Sequence, residues 1–378
     1  MTLQSIQAFS LAIPFTAAFK HASAERAVTQ TIWVEIHSQN GVVGFGEGCP
    51  REYVTSESLD SSRAFIVKHR QDWLNKIHDV RTLVDWSERH RADIDNNQAA
   101  WTAVEIACLD LFGKEANKSV ESLLDLPELS GVFRYTAVLG DAPSAKFDAQ
   151  LAKYLQAGFQ DFKIKLSGHE AQDITKAKLL SAAGVSPGHV RADANNLWRD
   201  SNEAIRHLMA LDFPFFALEE PLHAGDDQGM ARIATTLDTK IVLDESLVRA
   251  EQLKTFADAS DRWIINLRLS KMGGLLRSLA FLDEARRYGM QIIIGAHVGE
   301  TSLLTRAALT VASSASDILV AQEGAFGTHL LTKDVVDSPL MFAGGGLLDV
   351  TKQKIIDRQG FGLKIVQPML YLTSFEAM

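Results

Sequence analysis

The chain has 378 residues, 46% hydrophobic and 22% charged, with a net charge of −9. That is an ordinary globular composition, long enough for two domains or for a barrel with an added cap. No Lys/Arg block and no membrane-length apolar run stands out, so nucleic acid and membranes are poor partners. The only cysteines are Cys49 and Cys108, too few for a disulfide framework, and residues 1–15 carry no basic leader; a cytoplasmic setting is expected.

Residues 5–14 read as a strand, followed by a loop over 15–25 that holds Phe19, Lys20 and His21. Alternating runs at 29–37 and 42–47 predict two more strands, joined through the hairpin signal Asn40-Gly41. From Ser58 to about Lys118 the pattern turns helical and stops at Gly113. Residues 1–125 are therefore expected to form an α+β unit of their own. Over 126–349, short apolar runs alternate with amphipathic helices. Strands are predicted at 135–139, 162–166, 190–194, 215–218, 241–243, 263–269, 291–296 and 318–321. Eight strands linked by helices predict a modified (β/α)8 fold, that is, a (β/α)7β TIM barrel. Gly344-Gly345-Gly346 marks a connection, and the tail from about 350 to 378 is expected to return to the N-terminal unit.

The chemistry lies at the strand ends. Asp193, Glu219 and Asp244 close three successive strands and stand 26 and 25 residues apart, one β/α repeat each. Acids recurring at the C-terminal ends of barrel strands converge at one mouth, where such barrels carry their active sites. Three oxygen donors without Cys or His suit a hard cation, Mg²⁺ with Mn²⁺ as a possible substitute. Strand parity places Lys163 and Lys165 on the inward face, with Phe162, Ile164 and Leu166 toward the helices. Two adjacent ammonium groups would depress each other's pKa and make one a general base; the plainer alternative is a solvated pair on an edge strand. The same parity pairs Asn195 with Asp193 and Arg268 with Asn266 and Ser270. His297 and Glu323 end the seventh and eighth strands. Arg268 could merely neutralise acids, and a lone His297 is more often a satisfied core residue than a base. Together, so many ionisable groups in one mouth are costly to bury unless a metal or ligand uses them.

These residues resemble the enolase superfamily, in its muconate lactonizing enzyme subgroup, over nearly the whole chain. The likeness rests on Ala107 to Lys114, Lys163-x-Lys165, Asp193-Ala-Asn195, Glu219-Glu220-Pro221, Asp244-Glu245-Ser246, the run from Asn266 through Lys271 to Gly273-Gly274, and Glu323 to Gly327. It implies that Asp193, Glu219 and Asp244 hold Mg²⁺, with Asn195 and Glu245 behind them, and that the metal holds a substrate carboxylate. It further implies that Lys165 moves a proton α to that group while Lys163 tunes it. Phe19, Lys20, His21, Arg51 and Tyr53 from the cap, with His297 and Glu323 from the barrel, would set specificity for a small carboxylate substrate. A homo-oligomer is expected. One departure stands out: the subgroup places a second catalytic lysine where this chain has Arg268, and Lys271 has the opposite parity, suited to packing or a helix terminus. Arginine is a poor general base. The expected reaction is therefore one-base, muconate cycloisomerase-like chemistry. Epimerisation of dipeptides or N-acylamino acids, syn-dehydration of the o-succinylbenzoate synthase kind, and a non-catalytic acid binder are the alternatives.

Overall fold

The computed structural model describes residues 2–21, 24–353, 355, 359–366 and 371–375, with 17–21, 24 and 25 described by backbone alone. The cap is built on an antiparallel sheet in which Leu3–Leu11 pairs with Thr31–Ser38, and that strand with Val43–Gly48. The tail does return: Leu372–Ser374 adds to the free edge of Leu3–Leu11. The segment expected as a loop is instead a hairpin, Pro14–His21 against Ala24–Val28; the run Ala17-Ala18-Phe19 breaks the alternation that would mark it. Helix Gln98–Ala116 is buried on all sides over residues 98–113, because it lies between the cap sheet and the barrel. Glycines at every second position of Val43–Gly48 let that helix in. A Cβ at Gly46 would stand 1.8 Å from the Ala103 carbonyl oxygen.

Eight parallel strands then follow in chain order: Ala137–Leu139, Phe162–Lys165, Val190–Asp193, Ala217–Glu219, Lys240–Leu243, Trp263–Leu267, Gln291–Ile294 and Leu319–Gln322. The Thr136 amide donates to the Gln322 carbonyl at 2.8 Å, joining the first strand to the last. Helices connect the strands, except between the fifth and sixth, where the 3₁₀ stretch Ala250–Arg262 serves. This is the (β/α)7β barrel with an N-terminal cap. Outward side chains such as Phe162, Ile164, Leu218, Ile265 and Leu267 join the main core. Inward ones form a small separate core of Ala217, Val242, Ile264 and Ile293. Two residues further along each of those strands stand Glu219, Asp244, Asn266 and Gly295. The barrel is plugged with apolar groups below and turns ionic at its mouth.

Candidate active site

Strand register places Lys165 beside Asp193, and Asp193 beside Glu219. The Lys165 ammonium donates to Asp193 Oδ2 at 2.6 Å and to Asn195 Oδ1 at 2.7 Å. Lys163, one layer deeper, reaches Glu323 Oε2 at 2.7 Å, Glu219 Oε2 at 3.0 Å and Asp193 Oδ2 at 3.3 Å. Behind it, Arg191 Nη2 donates to Glu323 Oε1 at 2.9 Å and to Thr136 Oγ1 at 3.0 Å. On the opposite wall, Arg268 is ion-paired with Asp244 and lies 3.7 Å from Glu219 Oε1. Asn266 Nδ2 donates to that same Glu219 oxygen at 3.0 Å. A Cβ at position 295 would stand 2.0 Å from Asn266 Oδ1, so only glycine fits there. Glu220 turns away from the mouth and accepts from the Asp244 and Ser246 amides at 2.6 and 2.8 Å, which fixes the loop after the fifth strand.

Burial and charge act against each other at Lys163, Asp193 and Arg268, and in the same direction at Glu219 and Glu245. Burial alone would strip Lys163 of its proton, but Glu219, Glu323 and Asp193 outweigh it and raise its pKa. The expected depression by a neighbouring ammonium therefore fails for Lys163, because three acids lie closer to it than parity can show. Burial raises Glu219, and the neighbouring Asp193 adds to that. Asp193 is held low in spite of burial by Lys165 and Lys163. Burial and then Asp244 raise Glu245. Arg268 is pushed further up by Asp244 and Glu219 although burial opposes it, so it keeps its proton at any working pH.

Among the described residues, no group of His, Cys, Asp or Glu is closed up as a ready metal cage. The three carboxylates share one mouth but are bridged by cations: Lys163 between Asp193 and Glu219, and Arg268 between Glu219 and Asp244. The residues nonetheless fit a hard divalent ion. The donors are all oxygens, all buried, and Glu245 Oε2 and Asn266 Oδ1 are buried with no hydrogen-bond partner. Burial and then Asp193 raise Glu219 to about 7 even with the Lys163 ammonium 3.0 Å away, and a divalent ion would add positive charge that favours its ionised form.

Of the other expected site residues, the side chains of Phe19, Lys20 and His21 lie outside the described residues. Arg51 is fully buried, and its guanidinium donates to the carbonyls of Gln30 at 3.0 Å, Pro50 at 2.6 Å and Val298 at 2.5 Å. It clasps cap to barrel through three of its donors, while its buried Nε has no partner. The ring of Tyr53 lies under the Arg26 guanidinium, 5.9 Å from its centroid. Glu323 is taken up by Lys163 and Arg191. His297 is buried with both ring nitrogens unpartnered, and burial together with Arg268 and Arg51 holds it neutral, well below its usual range. Lys271 belongs to the site after all, donating to the Asp244 carbonyl at 2.9 Å and to Oδ1 at 3.1 Å. Strand parity misplaces it because the sixth strand stops at Leu267 and a short helix, Leu269–Met272, begins. Arg191 was legible, since it stands two residues before Asp193 and shares its inward face.

Two family models match the chain: the mandelate racemase/muconate lactonizing enzyme N-terminal domain over residues 5–125 and the enolase C-terminal domain-like fold over residues 146–368. The chain belongs to the mandelate racemase/muconate lactonizing enzyme family of the enolase superfamily, a family of enzymes. It is 26% identical to the N-succinyl-L-Arg/Lys racemase of Bacillus cereus, over 100% of this chain and 99% of that protein. It is 27% identical to the L-Ala-D/L-Glu epimerase of Bacillus subtilis, over 84% of this chain and 87% of that protein. The solved dipeptide epimerase of Enterococcus faecalis, complexed with Mg and the dipeptide L-Leu-L-Tyr, superposes with a TM-score of 0.81 at 23% identity, covering 96% of this chain and 100% of that one. Muconate lactonizing enzyme of Pseudomonas fluorescens superposes with a TM-score of 0.84 at 22% identity, covering 98% and 99%. At those identities the structures speak for the fold.

Proposed function

We propose that this chain is a Mg²⁺-dependent enzyme, with Mn²⁺ as substitute, that moves a proton at the carbon α to the carboxylate of an N-acylated amino acid or a dipeptide. The observation that carries the reading is Lys165: a partly exposed ammonium at a strand end, 2.6 Å from Asp193. Asp193, Glu219 and Asp244 would hold the metal, which when bound supplies the positive charge that a substrate carboxylate needs as its α-proton leaves. Lys165 takes the proton in its neutral amine form, becoming the ammonium, and Lys163 and Arg268 add fixed positive charge where negative charge develops. The substrate class and an epimerising outcome follow the named relatives, which are racemases and epimerases. Inversion needs a second proton carrier on the Arg268 wall; His297 is neutral and unpartnered there, with burial, Arg268 and Arg51 opposing its protonation.

A second reading is favoured by Arg268. With a guanidinium locked onto Asp244, one face of the α-carbon would meet no base, and the outcome would be one-base chemistry of the muconate cycloisomerase or syn-dehydratase kind. Incubating each enantiomer of N-succinyl amino acids and dipeptides in D₂O with Mg²⁺, followed by NMR, separates the two. Exchange with inversion of both antipodes supports epimerisation. Exchange confined to one antipode supports the one-base reading. No Mg²⁺-dependent exchange with any α-carboxylate would sink both.

A further inference from the structure

Helix Glu170–Ala182 follows the strand that carries Lys165 and turns Lys176 into the barrel wall, with no side-chain surface exposed. An ammonium has three donors, and Lys176 uses all of them. They reach the Lys165 carbonyl at 2.8 Å, Asp141 Oδ1 at 2.8 Å and Asp173 Oδ1 at 3.0 Å. Asp173, equally buried, accepts from the Ser167 amide at 3.0 Å, the Ser167 hydroxyl at 2.9 Å and the Gly168 amide at 3.1 Å. His207 Nε2 stands 3.1 Å from its other oxygen, reaching across from Ser201–Ala210, the helix after the Asp193 strand. The loops after the first and second strands and the helix after the third are thereby tied to one cluster directly behind Lys165.

Stability alone does not call for this arrangement. The helix buries Ala177 and Leu180 beside Lys176, and well-packed apolar residues commonly hold such a wall as well as buried ion pairs do. An apolar residue could not grip the Lys165 carbonyl and the amides just beyond it. Those groups are the pivot from which the Lys165 side chain reaches the mouth.

We propose that Lys176 and Asp173 are positioning residues, fixing the backbone of Lys165 so that its ammonium keeps its place against the substrate α-carbon. The proposal rests on Lys165 as the proton-moving group. It is tested in the full chain with Lys176→Met and Asp173→Asn, with Lys176→Gln as a milder variant that keeps a donor toward the carbonyl. Glu121→Gln, which breaks the buried pair with Arg306 between cap and barrel, is the control for lost stability. In the Mg²⁺-dependent exchange assay with N-succinyl amino acids and dipeptides, kcat should fall roughly 10–100-fold in Lys176→Met and Asp173→Asn, with KM within about threefold. Lys176→Gln should fall between these and the unmodified chain, and Glu121→Gln should lower Tm but not kcat. A second readout needs no substrate: pulse acylation by acetic anhydride, read by mass spectrometry. Labelling of Lys165 relative to the exposed Lys178 should change several-fold in the two stronger variants and not in Glu121→Gln. Folded variants with unchanged kcat and unchanged Lys165 labelling would overturn the proposal. Altered labelling without exchange in the unmodified chain would leave the positioning role standing and sink the functional reading on its own.

Discussion

Lys165 and Arg268 end the second and sixth strands, on opposite walls of one mouth, and the two walls are built differently. The Lys165 wall is held from within the barrel, by Asp193 and Asn195 in front and by Lys176 and Asp173 behind. The Arg268 wall is gripped by the cap. The Cys49 amide donates to Ser270 Oγ at 3.0 Å, and Thr102 Oγ1 to the Leu269 carbonyl at 3.2 Å. Glu105 accepts the Leu276 amide at 3.0 Å and Glu47 the Thr301 amide at 3.0 Å. Arg51 seals the seam at Val298. On the proposed mechanism the proton-moving lysine and the fixed guanidinium thus have separate supports. The cap can anchor firmly to the wall that carries Arg268 without loading the wall that carries Lys165.

The sharpest way to break this contrast is Lys165→Ala. Exchange of the substrate α-proton should drop by about 10³-fold or more, while Mn²⁺ affinity, read by paramagnetic resonance, stays within a few-fold. Substantial exchange in that variant would move the proton-transfer role elsewhere. Next comes Arg268. Replacement by Met should slow exchange by roughly 10²-fold through lost charge stabilisation. Replacement by Lys supplies a group whose pKa burial can lower, so inversion of the antipode that Lys165 cannot reach should appear or quicken. Equal rates for both antipodes in the unmodified chain and in Arg268→Lys would show that position 268 takes no part in choosing the face.

Smaller effects are expected at the seam. Arg51→Met leaves buried carbonyls unsatisfied and should cost about 1–3 kcal/mol, seen as a lower Tm with KM little changed. A shifted KM at constant Tm would instead make Arg51 a substrate contact. The seam also carries a pH slope, from Glu47. Burial, opposed in part by its bonds to Thr301, raises its carboxyl from 4.5 to about 8. The folded chain therefore holds a proton there that the unfolded chain has already lost. Stability from this group is complete below about pH 4.5 and declines as pH rises toward 8. Thermal unfolding should show Tm falling by about a few degrees across that window, and Glu47→Gln should flatten the slope.

Much of this could be read from the chain alone, because strand alternation and the once-per-repeat spacing of Asp193, Glu219 and Asp244 are local properties of the backbone period. They predicted the barrel, its inward faces and the ionic mouth. The Asn40-Gly41 hairpin was equally local, whereas the helix expected to stop at Gly113 runs on to Ala116 and ends at Asn117 in the left-handed region. Partnership was not. Lys163 is raised rather than depressed because Glu219 and Glu323, 56 and 160 residues away, lie 3.0 and 2.7 Å from it. Arg51 is a clasp because two of the carbonyls it reaches, those of Gln30 and Val298, come from other segments, and Lys271 meets Asp244 because a strand gives way to a helix after Leu267. Residue period is written in neighbours along the chain, whereas the charge state of a buried group depends on which distant groups the closed barrel brings within a few ångströms of it. That second fact only the tertiary structure decided.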